Sequence, residues 1–380
     1  MPQRTDGGDT FAKAAGPMNP AYIRWPRRLF GSTVLLFLTS LPGVSAATFE
    51  DPLDWPAEAQ SSPSNRPLLA VAVAGKRLVA VGLRGLIILS DDDGKTWYQS
   101  TAPVQSDLLA VNFPTPNDGW AVGHDGVILH TIDGGLNWRK QLDGRTAEAA
   151  FKKVYAGMGF EASAAQEQIR RNYVAGPTLP WLDVWFETPL VGYVVGAYGM
   201  LAATMDGGRT WEPWLHRIDN AEWFNLNAIR GIGEGLYIAG ERGHIFRLDR
   251  SRGHFTGVDV GYLGSLFGIV GASDTVLVYG LRGTVFLSAD AGEHWEEVQA
   301  PTEQTIVAGT AKADEQGFVL ADTAGRLLSV DRTGAEIRQL PHRAAIDATG
   351  MVAIHPGVLA VTGLKGITVV NLNAEARVWR

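Results

Sequence analysis

The stretch that decides the fold is VGLRGLIILSDDDGKTW, residues 81–97. It contains a G-x-x-G turn, a short apolar run and an S-x-D-x-G-x-T-W box. Short apolar runs bounded by glycine- and aspartate-rich turns are typical of β-strands joined by hairpins. The stretch therefore predicts two consecutive hairpins that share one central strand, and both glycines of the G-x-x-G turn are expected to supply positive φ.

The unit recurs along the chain. Four copies keep both halves, with the box pairs Asp92 and Trp97, Asp133 and Trp138, Asp206 and Trp211, and Asp290 and Trp295. Three copies keep only the turn, at Gly240–Gly243, Asp322–Gly325 and Gly363–Gly366. The seven turns begin about forty residues apart, except for one longer interval between the second and third turns. This spacing predicts an all-β, seven-bladed β-propeller of four-stranded blades, with a short helical insertion between blades two and three.

The composition excludes some kinds of functional site and makes others less favourable. The 380 residues include no cysteine, which excludes disulfides, thiolate metal sites, cysteine nucleophiles and a lipid-modified cysteine anchor. The net charge of −7 does not favour a nucleic-acid partner. The eight histidines show no metal-binding spacing. We expect a monomer that holds neither metal nor cofactor.

Residues 1–46 resemble a secretory signal peptide. Arg24, Arg27 and Arg28 precede the apolar run 29–44, and small residues follow it, so cleavage is expected near Ala46. An uncleaved anchor, either export route (general or twin-arginine) and a start at Met18 instead of Met1 stay open. The mature chain is expected to be periplasmic or extracellular, without a transmembrane segment.

The mature chain divides into two predicted parts. Residues 47–66 form an extension that packs on the propeller, and residues 67–380 form the propeller, whose last strand is Ala376–Arg380. Within it, residues 144–178 interrupt the repeat with two helical patterns, the second of which carries Arg170 and Arg171. The apolar side of these helices must rest either on the propeller, as a lid, or on a partner.

The complete unit resembles the Asp-box, or BNR, repeat of sialidases and of many non-enzymatic propellers. The unit V-G-x-x-G-x-I-x-x-S-x-D-x-G-x-T-W, repeated seven times with its second half lost in three copies, and the export signal before it resemble the photosystem II stability/assembly factor family. This resemblance covers roughly residues 70–380 and includes relatives in non-photosynthetic bacteria. It implies assistance in assembling a membrane complex, through an arginine-rich surface that faces the client.

The repeated aspartates are interpreted as structural, because one active site needs groups that converge, and these are spread around a ring. No catalytic residue is predicted. The alternative function is a glycan-active propeller, either a sialidase-like glycosidase or a lectin, which needs acidic and aromatic groups at the ring centre. A third hypothesis is a purely structural envelope protein that assembles with itself.

The third position of the G-x-x-G turn is the predicted partner-binding position. It is occupied by Arg84, Tyr198, Arg242, Arg282 and Lys365, among others. In a meander, turns between strands two and three lie opposite turns between strands three and four. These residues should therefore share the face away from the boxes, together with Arg170 and Arg171. The expected partner is a membrane-protein complex or another envelope protein with an acidic surface.

Overall fold

The computed structural model describes residues 51–314, 316–334, 336–344 and 347–374. They form seven antiparallel sheets, each of which pairs strands in sequence order. Blade 1 contains β1 to β4, at Leu68–Ala74, Arg77–Gly82, Ile87–Ser90 and Tyr98–Gln99. Blade 2 contains β5 to β8, at Leu108–Asn112, Gly119–Gly123, Ile128–Thr131 and Arg139–Leu142. Blade 3 contains β9 to β12, at Trp181–Phe186, Gly192–Gly196, Leu201–Thr204 and Glu212–Pro213.

The remaining four blades repeat this order. Blade 4 contains β13 to β16, at Leu226–Ile232, Gly235–Gly240, Ile245–Asp249 and His254–Val258. Blade 5 contains β17 to β20, at Leu266–Ala272, Thr275–Gly280, Val285–Ser288 and Glu296–Glu297. Blade 6 contains β21 to β24, at Ile306–Ala311, Phe318–Asp322, Arg326–Val330 and Ile337–Arg343. Blade 7 contains β25 to β27, at Ala348–His355, Val358–Gly363 and Gly366–Asn371. The predicted strand Ala376–Arg380 lies outside the described residues.

The predicted fold class is confirmed: the chain is a seven-bladed β-propeller. The second strand of each blade is the most apolar, because it packs against the strands on both sides and against both neighbouring blades. In blade 1, Leu78, Val79, Ala80 and Val81 are at most 1 % exposed. The first strand lines the central channel, and its residues in blade 1 are buried or partly buried.

The ring closes between blades 7 and 1. Thr349 Oγ1 donates a hydrogen bond to the carbonyl oxygen of Leu68 at 2.7 Å. Leu68 also shares a buried apolar cluster with Ala360. Toward the solvent, His355 Nε2 lies 3.1 Å from Asp93 Oδ1. Closure of this kind leaves the free edges of the inner strands facing the narrow channel, where they are protected.

Two α-helices follow blade 2. Helix α1 spans Gly144–Ala156 and helix α2 spans Ser163–Asn172, so the insertion lies between β8 and β9, as predicted. Helix α1 begins with a capping box, in which the Asp143 carboxylate accepts the Thr146 amide while the Thr146 hydroxyl accepts the Asp143 amide. Its buried face includes Phe151 and Tyr155.

The extension before β1 contains two short 3-10 turns, Pro52–Asp54 and Pro63–Asn65. The amide of Ala57 donates to the Ala102 carbonyl oxygen at 3.0 Å, beside the outer strand of blade 1. In blade 2, the Lys140 Nζ donates a hydrogen bond to the carbonyl oxygen of Leu53 in the extension, at 2.7 Å. The extension therefore packs on the first two blades.

Candidate functional site

The G-x-x-G turns share one backbone conformation in five blades. Their third residue has a φ between 52° and 58°, in the left-handed region: Arg84, Asp125, Tyr198, Arg242 and Arg282. The fourth residue, always glycine, also has positive φ. The first glycine does not, since Gly82 has φ −164°. The expectation that both glycines supply positive φ is therefore wrong for the first one.

The first glycine is required for space. A β-carbon on Gly82 would lie 2.2 Å from the Pro67 carbonyl oxygen, and one on Gly123 would lie 1.9 Å from that of Asp107. Both distances are far shorter than a van der Waals contact. Each turn is thus pressed against the segment that leads into the first strand of its own blade, which places the third residue at the rim.

Four of these third residues are exposed, whereas Asp125 is partly buried and accepts a hydrogen bond from the Ser106 hydroxyl at 2.7 Å. The side chain of Arg84 is 68 % exposed, and one guanidinium nitrogen lies 3.5 Å from Glu58 Oε1. The Arg242 guanidinium carbon lies 5.5 Å above the ring centre of Phe224. Tyr198 is 58 % exposed. These positions therefore present charge and aromatic surface on one face of the propeller.

Arg282 borders a cavity of 620 Å³ between blades 5 and 6. Arg326 lies on the same cavity, but its guanidinium is bound to Asp322 at 2.6 Å and to Thr302 at 2.6 Å. Glu303 also lines the cavity. The cavity is therefore polar and of mixed charge, and Arg282 forms no ion pair with the described residues around it.

Lys365 belongs to a different kind of turn. It lies in a two-residue hairpin whose ends, Gly363 and Gly366, pair directly. Its backbone is not left-handed, although the residue is exposed. The structure thus separates Lys365 from the three arginines in conformation, although it shares their face.

The helical insertion rests on this same face. The Asn172 side-chain amide donates to the Tyr198 carbonyl oxygen at 3.3 Å. The Trp181 indole donates to the Gly126 carbonyl oxygen at 3.1 Å. Phe151 of α1 contacts Trp181 edge to face, with ring centres 6.4 Å apart. The apolar side of the insertion therefore packs on the propeller.

Arg170 and Arg171 are exposed on α2, and both bind Glu167. Arg170 Nη2 lies 2.7 Å and Arg171 Nε lies 2.9 Å from the same carboxylate oxygen, Glu167 Oε1. Their hydrogen bonds lower the pKa of Glu167 to about 2. The three side chains therefore carry one net positive charge, not two.

Each Asp box is a closed hydrogen-bonded turn. Asp92 accepts hydrogen bonds from the Thr96 hydroxyl at 2.6 Å, the Thr96 amide at 2.9 Å and the Ser90 hydroxyl at 2.8 Å. These hydrogen bonds lower the pKa of Asp92 to about 2. The Trp97 indole donates to the Gly94 carbonyl oxygen at 3.0 Å. The carboxylate oxygens thus point back into their own turn.

The other three boxes repeat these contacts. Asp133, Asp206 and Asp290 accept from the backbone amides of Asn137, Thr210 and His294, each at 2.9 Å. The indoles of Trp138 and Trp295 donate to glycine carbonyl oxygens as Trp97 does. The buried Trp211 indole has no such partner among the described residues.

The boxes also contact the preceding blade. The Ser100 hydroxyl of blade 1 donates to the Gly135 carbonyl oxygen of the second box at 2.6 Å. The Gln141 amide of blade 2 donates to Gly207 of the third box at 2.8 Å. The Tyr237 hydroxyl of blade 4 donates to Ala291 of the box in blade 5 at 2.7 Å. These contacts place the aspartates around the ring, one to a blade.

The central channel holds a cavity of 170 Å³ lined by all seven first strands. Asp183 and Arg230 line it, and Arg230 Nη1 donates to Asp183 Oδ2 at 2.5 Å. The other Asp183 contacts are the amides of Val184 and Ile229, both at 2.9 Å. Burial would lower the pKa of Arg230, but the charge of Asp183 raises it above its ordinary value.

We did not expect this pair from the sequence. The available signal was a lone aspartate within the apolar strand Trp181–Phe186. Asp183 is the single carboxylate among the described residues that line the channel cavity. In the described ranges no group of three or more His, Asp or Glu side chains is arranged to hold a metal ion. None of the helices described has both the length and the hydropathy that crossing a membrane requires.

Comparisons with known proteins give consistent results. A family model described as photosynthesis system II assembly factor YCF48 matches residues 89–160 and 172–254. Photosystem II assembly protein Ycf48 of Synechococcus sp. (strain JA-2-3B'a(2-13)) is 30 % identical over 159 residues, which cover 38 % of this chain and 46 % of that protein. The chloroplastic photosystem II stability/assembly factor HCF136 of Cyanidioschyzon merolae is 25 % identical over 202 residues, 47 % of this chain and 46 % of its own.

The sequence matches thus span about half the length of these relatives. A solved structure described as YCF48 bound to D1 peptide superimposes with a TM-score of 0.58 at 17 % identity, over 84 % of this chain and 96 % of the other. The WD40 propeller of Doa1 gives 0.56 at 10 % identity, over 87 % and 99 %. At these identities the structural matches establish the fold. Sequence and fold together confirm the predicted resemblance: this chain is a β-propeller similar to the photosystem II stability and assembly factors.

Proposed function

We propose that this protein is a non-catalytic binding propeller that assists the assembly or stability of a membrane-protein complex in the cell envelope. It docks through the rim formed by the G-x-x-G turns, which we call the basic turn face, with Arg84, Arg242, Arg282 and Lys365 as its cations. Its partner presents an acidic surface. The relatives that match in sequence are named as photosystem II assembly factors, which supports an assembly role.

The observation that carries the proposal is the backbone of three arginines. Arg84, Arg242 and Arg282 have φ values of 56°, 54° and 57°. A residue with a β-carbon is strained in this region by about 1 kcal/mol or more, and glycine would avoid the strain. Long cations occupy three of the five positions with this backbone, and Asp125 and Tyr198 occupy the other two, on a protein of net charge −7. Exposed cations at these positions are suited to contact with an acidic partner surface.

The channel supports the non-catalytic part of the proposal. Retaining and inverting glycosidases generally use two carboxylates placed on either side of the scissile bond. Among the described residues, the channel cavity has one carboxylate, Asp183, which is bound to Arg230. The box aspartates are engaged in their own turns. No observation on the described surface favours the glycan-active alternative.

The test is recovery of envelope proteins by crosslinking and pull-down with a triple variant, Arg84→Glu, Arg242→Glu and Arg282→Glu. We expect partner recovery to fall at least tenfold and to lose its dependence on salt, because charge complementarity sets this contact. A matched triple variant on the opposite face, Lys95→Glu, Arg209→Glu and Arg252→Glu, carries the same change of charge and should retain the partner.

Two results would contradict the proposal. Equal recovery by wild type and by the basic-face variant would exclude the docking face. Equal losses in both triple variants would show that net charge matters and that the face does not. Thermal unfolding of all three proteins separates these results from misfolding, since every substituted side chain is exposed.

A further inference from the structure

One tyrosine reaches the central channel from a second strand. Tyr279 of β18 lines the channel cavity, whose other described lining residues all belong to first strands. Tyr279 pairs in register with Gly268 of β17, and a β-carbon on Gly268 would lie 2.2 Å from the tyrosine hydroxyl oxygen. A β-carbon on Gly309 of β21 would lie 2.8 Å from the tyrosine ring. Two glycines therefore leave the space through which the ring reaches the channel.

The Tyr279 hydroxyl is buried without a partner. The residue is 5 % exposed, and its hydroxyl forms no hydrogen bond with the described residues. Burial raises the pKa of Tyr279 above its ordinary value, so the hydroxyl keeps its proton. Burial of a hydroxyl without a hydrogen bond is unfavourable, and a phenylalanine ring would cover Gly268 equally well. The hydroxyl is therefore available as a donor to a molecule in the cavity.

Arg230 presents further donors to the same cavity. Its Nη1 donates to Asp183 Oδ2 at 2.5 Å and to the Ile229 carbonyl oxygen at 2.6 Å, and its guanidinium carbon lies 5.9 Å from the ring centre of Trp185. These contacts fix the guanidinium, whereas Nε and Nη2 form no hydrogen bond with the described residues. Arg230 is close enough to Tyr279 for its charge to oppose, in part, the effect of burial on the tyrosine pKa.

We propose that the channel cavity binds a small monocarboxylate between Arg230 and Tyr279. The unpaired groups are donors, so the ligand must supply acceptors, and the Nε and Nη2 edge of a guanidinium matches the two oxygens of a carboxylate. The charge of Asp183 on the other side of the guanidinium disfavours a dianion. The cavity of 170 Å³ is close in volume to a cavity of about 150 Å³ that holds benzene, so the ligand has about six non-hydrogen atoms or fewer.

This site is separate from the proposed docking face, because none of Arg84, Arg242, Arg282 and Lys365 lines the channel cavity. The probe is fluoroacetate, whose fluorine NMR signal broadens when it binds a protein. Wild type should give saturable broadening that acetate reverses and that acetamide, its uncharged counterpart, does not. Tyr279→Phe removes only the hydroxyl, and Arg230→Lys keeps a cation for Asp183 but loses the fork. We expect each variant to bind about tenfold more weakly.

Tyr237→Phe is the matched control. Tyr237 also lies on a second strand, in blade 4, but its hydroxyl donates to the Ala291 carbonyl oxygen at 2.7 Å. This variant should bind fluoroacetate as wild type does and should unfold at a lower denaturant concentration. Ligand-free Tyr279→Phe should instead unfold at the wild-type midpoint or above it, because the hydroxyl that it loses has no partner.

Four results would overturn the proposal. They are the absence of broadening with wild type, equal competition by acetamide and acetate, and broadening that is unchanged in Tyr279→Phe and Arg230→Lys, which would show binding outside the channel. The fourth is a lower unfolding midpoint for ligand-free Tyr279→Phe, because the hydroxyl would then have a partner within the protein.

Discussion

The ion pair in the channel provides a sharp test of what holds neighbouring blades together. Asp183 of blade 3 accepts the amide of Ile229 and a guanidinium N–H of Arg230, both in blade 4. Its side chain is 7 % exposed. The substitution Asp183→Asn keeps the shape of the side chain but removes the charge, so Arg230 loses its carboxylate.

The expected loss of stability in the Asp183→Asn variant follows from these contacts. A hydrogen bond to a charged group is worth about 1.5–3 kcal/mol, and breaking a buried pair on one side costs about 3–5 kcal/mol. Arg230 is 36 % exposed to the channel, so water offsets part of that loss. We expect the free energy of unfolding to fall by about 3 kcal/mol. For the roughly 320 described residues this lowers the midpoint of thermal unfolding by roughly 4–5 °C.

A double-mutant cycle decides whether the pair itself is responsible. Unfolding of Asp183→Asn, Arg230→Met and the double variant is followed by tryptophan fluorescence and circular dichroism. The double variant should be more stable than the sum of the single losses predicts, by about 1–3 kcal/mol. Additive losses within about 0.5 kcal/mol would refute the argument, because the two side chains would then act independently.

Three further predictions concern the turns and the insertion. Asp133→Ala should lower the free energy of unfolding by about 1–2 kcal/mol in denaturant titrations, since the turn loses the carboxylate that accepts its internal hydrogen bonds. An unchanged denaturation midpoint would show that this carboxylate does not stabilise the turn. Gly82→Ala should prevent accumulation of folded protein on size-exclusion chromatography, because the added carbon meets the Pro67 carbonyl oxygen at 2.2 Å. Burial lowers the pKa of His216, which contacts Tyr155 of α1, from 6.5 to about 4. Its stabilising contribution is therefore complete above pH 6.5 and is lost as the pH falls toward 4. The unfolding midpoint of His216→Gln should depend less on pH than that of wild type across this range, and identical slopes would contradict the assignment.

The boxes are unevenly distributed, and other contacts serve the blades that lack them. Arg250, in the turn after β15 of blade 4, pairs with Glu187 of blade 3. In blade 6, Arg332 Nη2 donates to the Ser273 hydroxyl of blade 5 at 3.0 Å. The turn between the third and fourth strands thus contacts the preceding blade whether or not it contains a box. A fold of this kind can lose individual boxes while retaining its ring.

Much of this architecture was predictable because it is encoded locally. The G-x-x-G turn and the box each specify a hairpin through residues within a few positions of one another. Their repetition predicts seven blades, and the single long interval locates the helices between β8 and β9. Turn chemistry of this kind acts before any tertiary contact forms, and so it is visible in the sequence.

The features that bear on function depended on tertiary structure. The left-handed backbone of Arg84 arises because its turn is pressed against residues that precede the blade. Arg170 and Arg171 both pair with Glu167, so the net positive charge at the end of α2 is smaller than the two arginines in the sequence suggested. Asp183 and Arg230 are 47 positions apart and meet only when blades 3 and 4 stand side by side. Contacts between blades are set by closure of the ring, and no local pattern of residues contains that information.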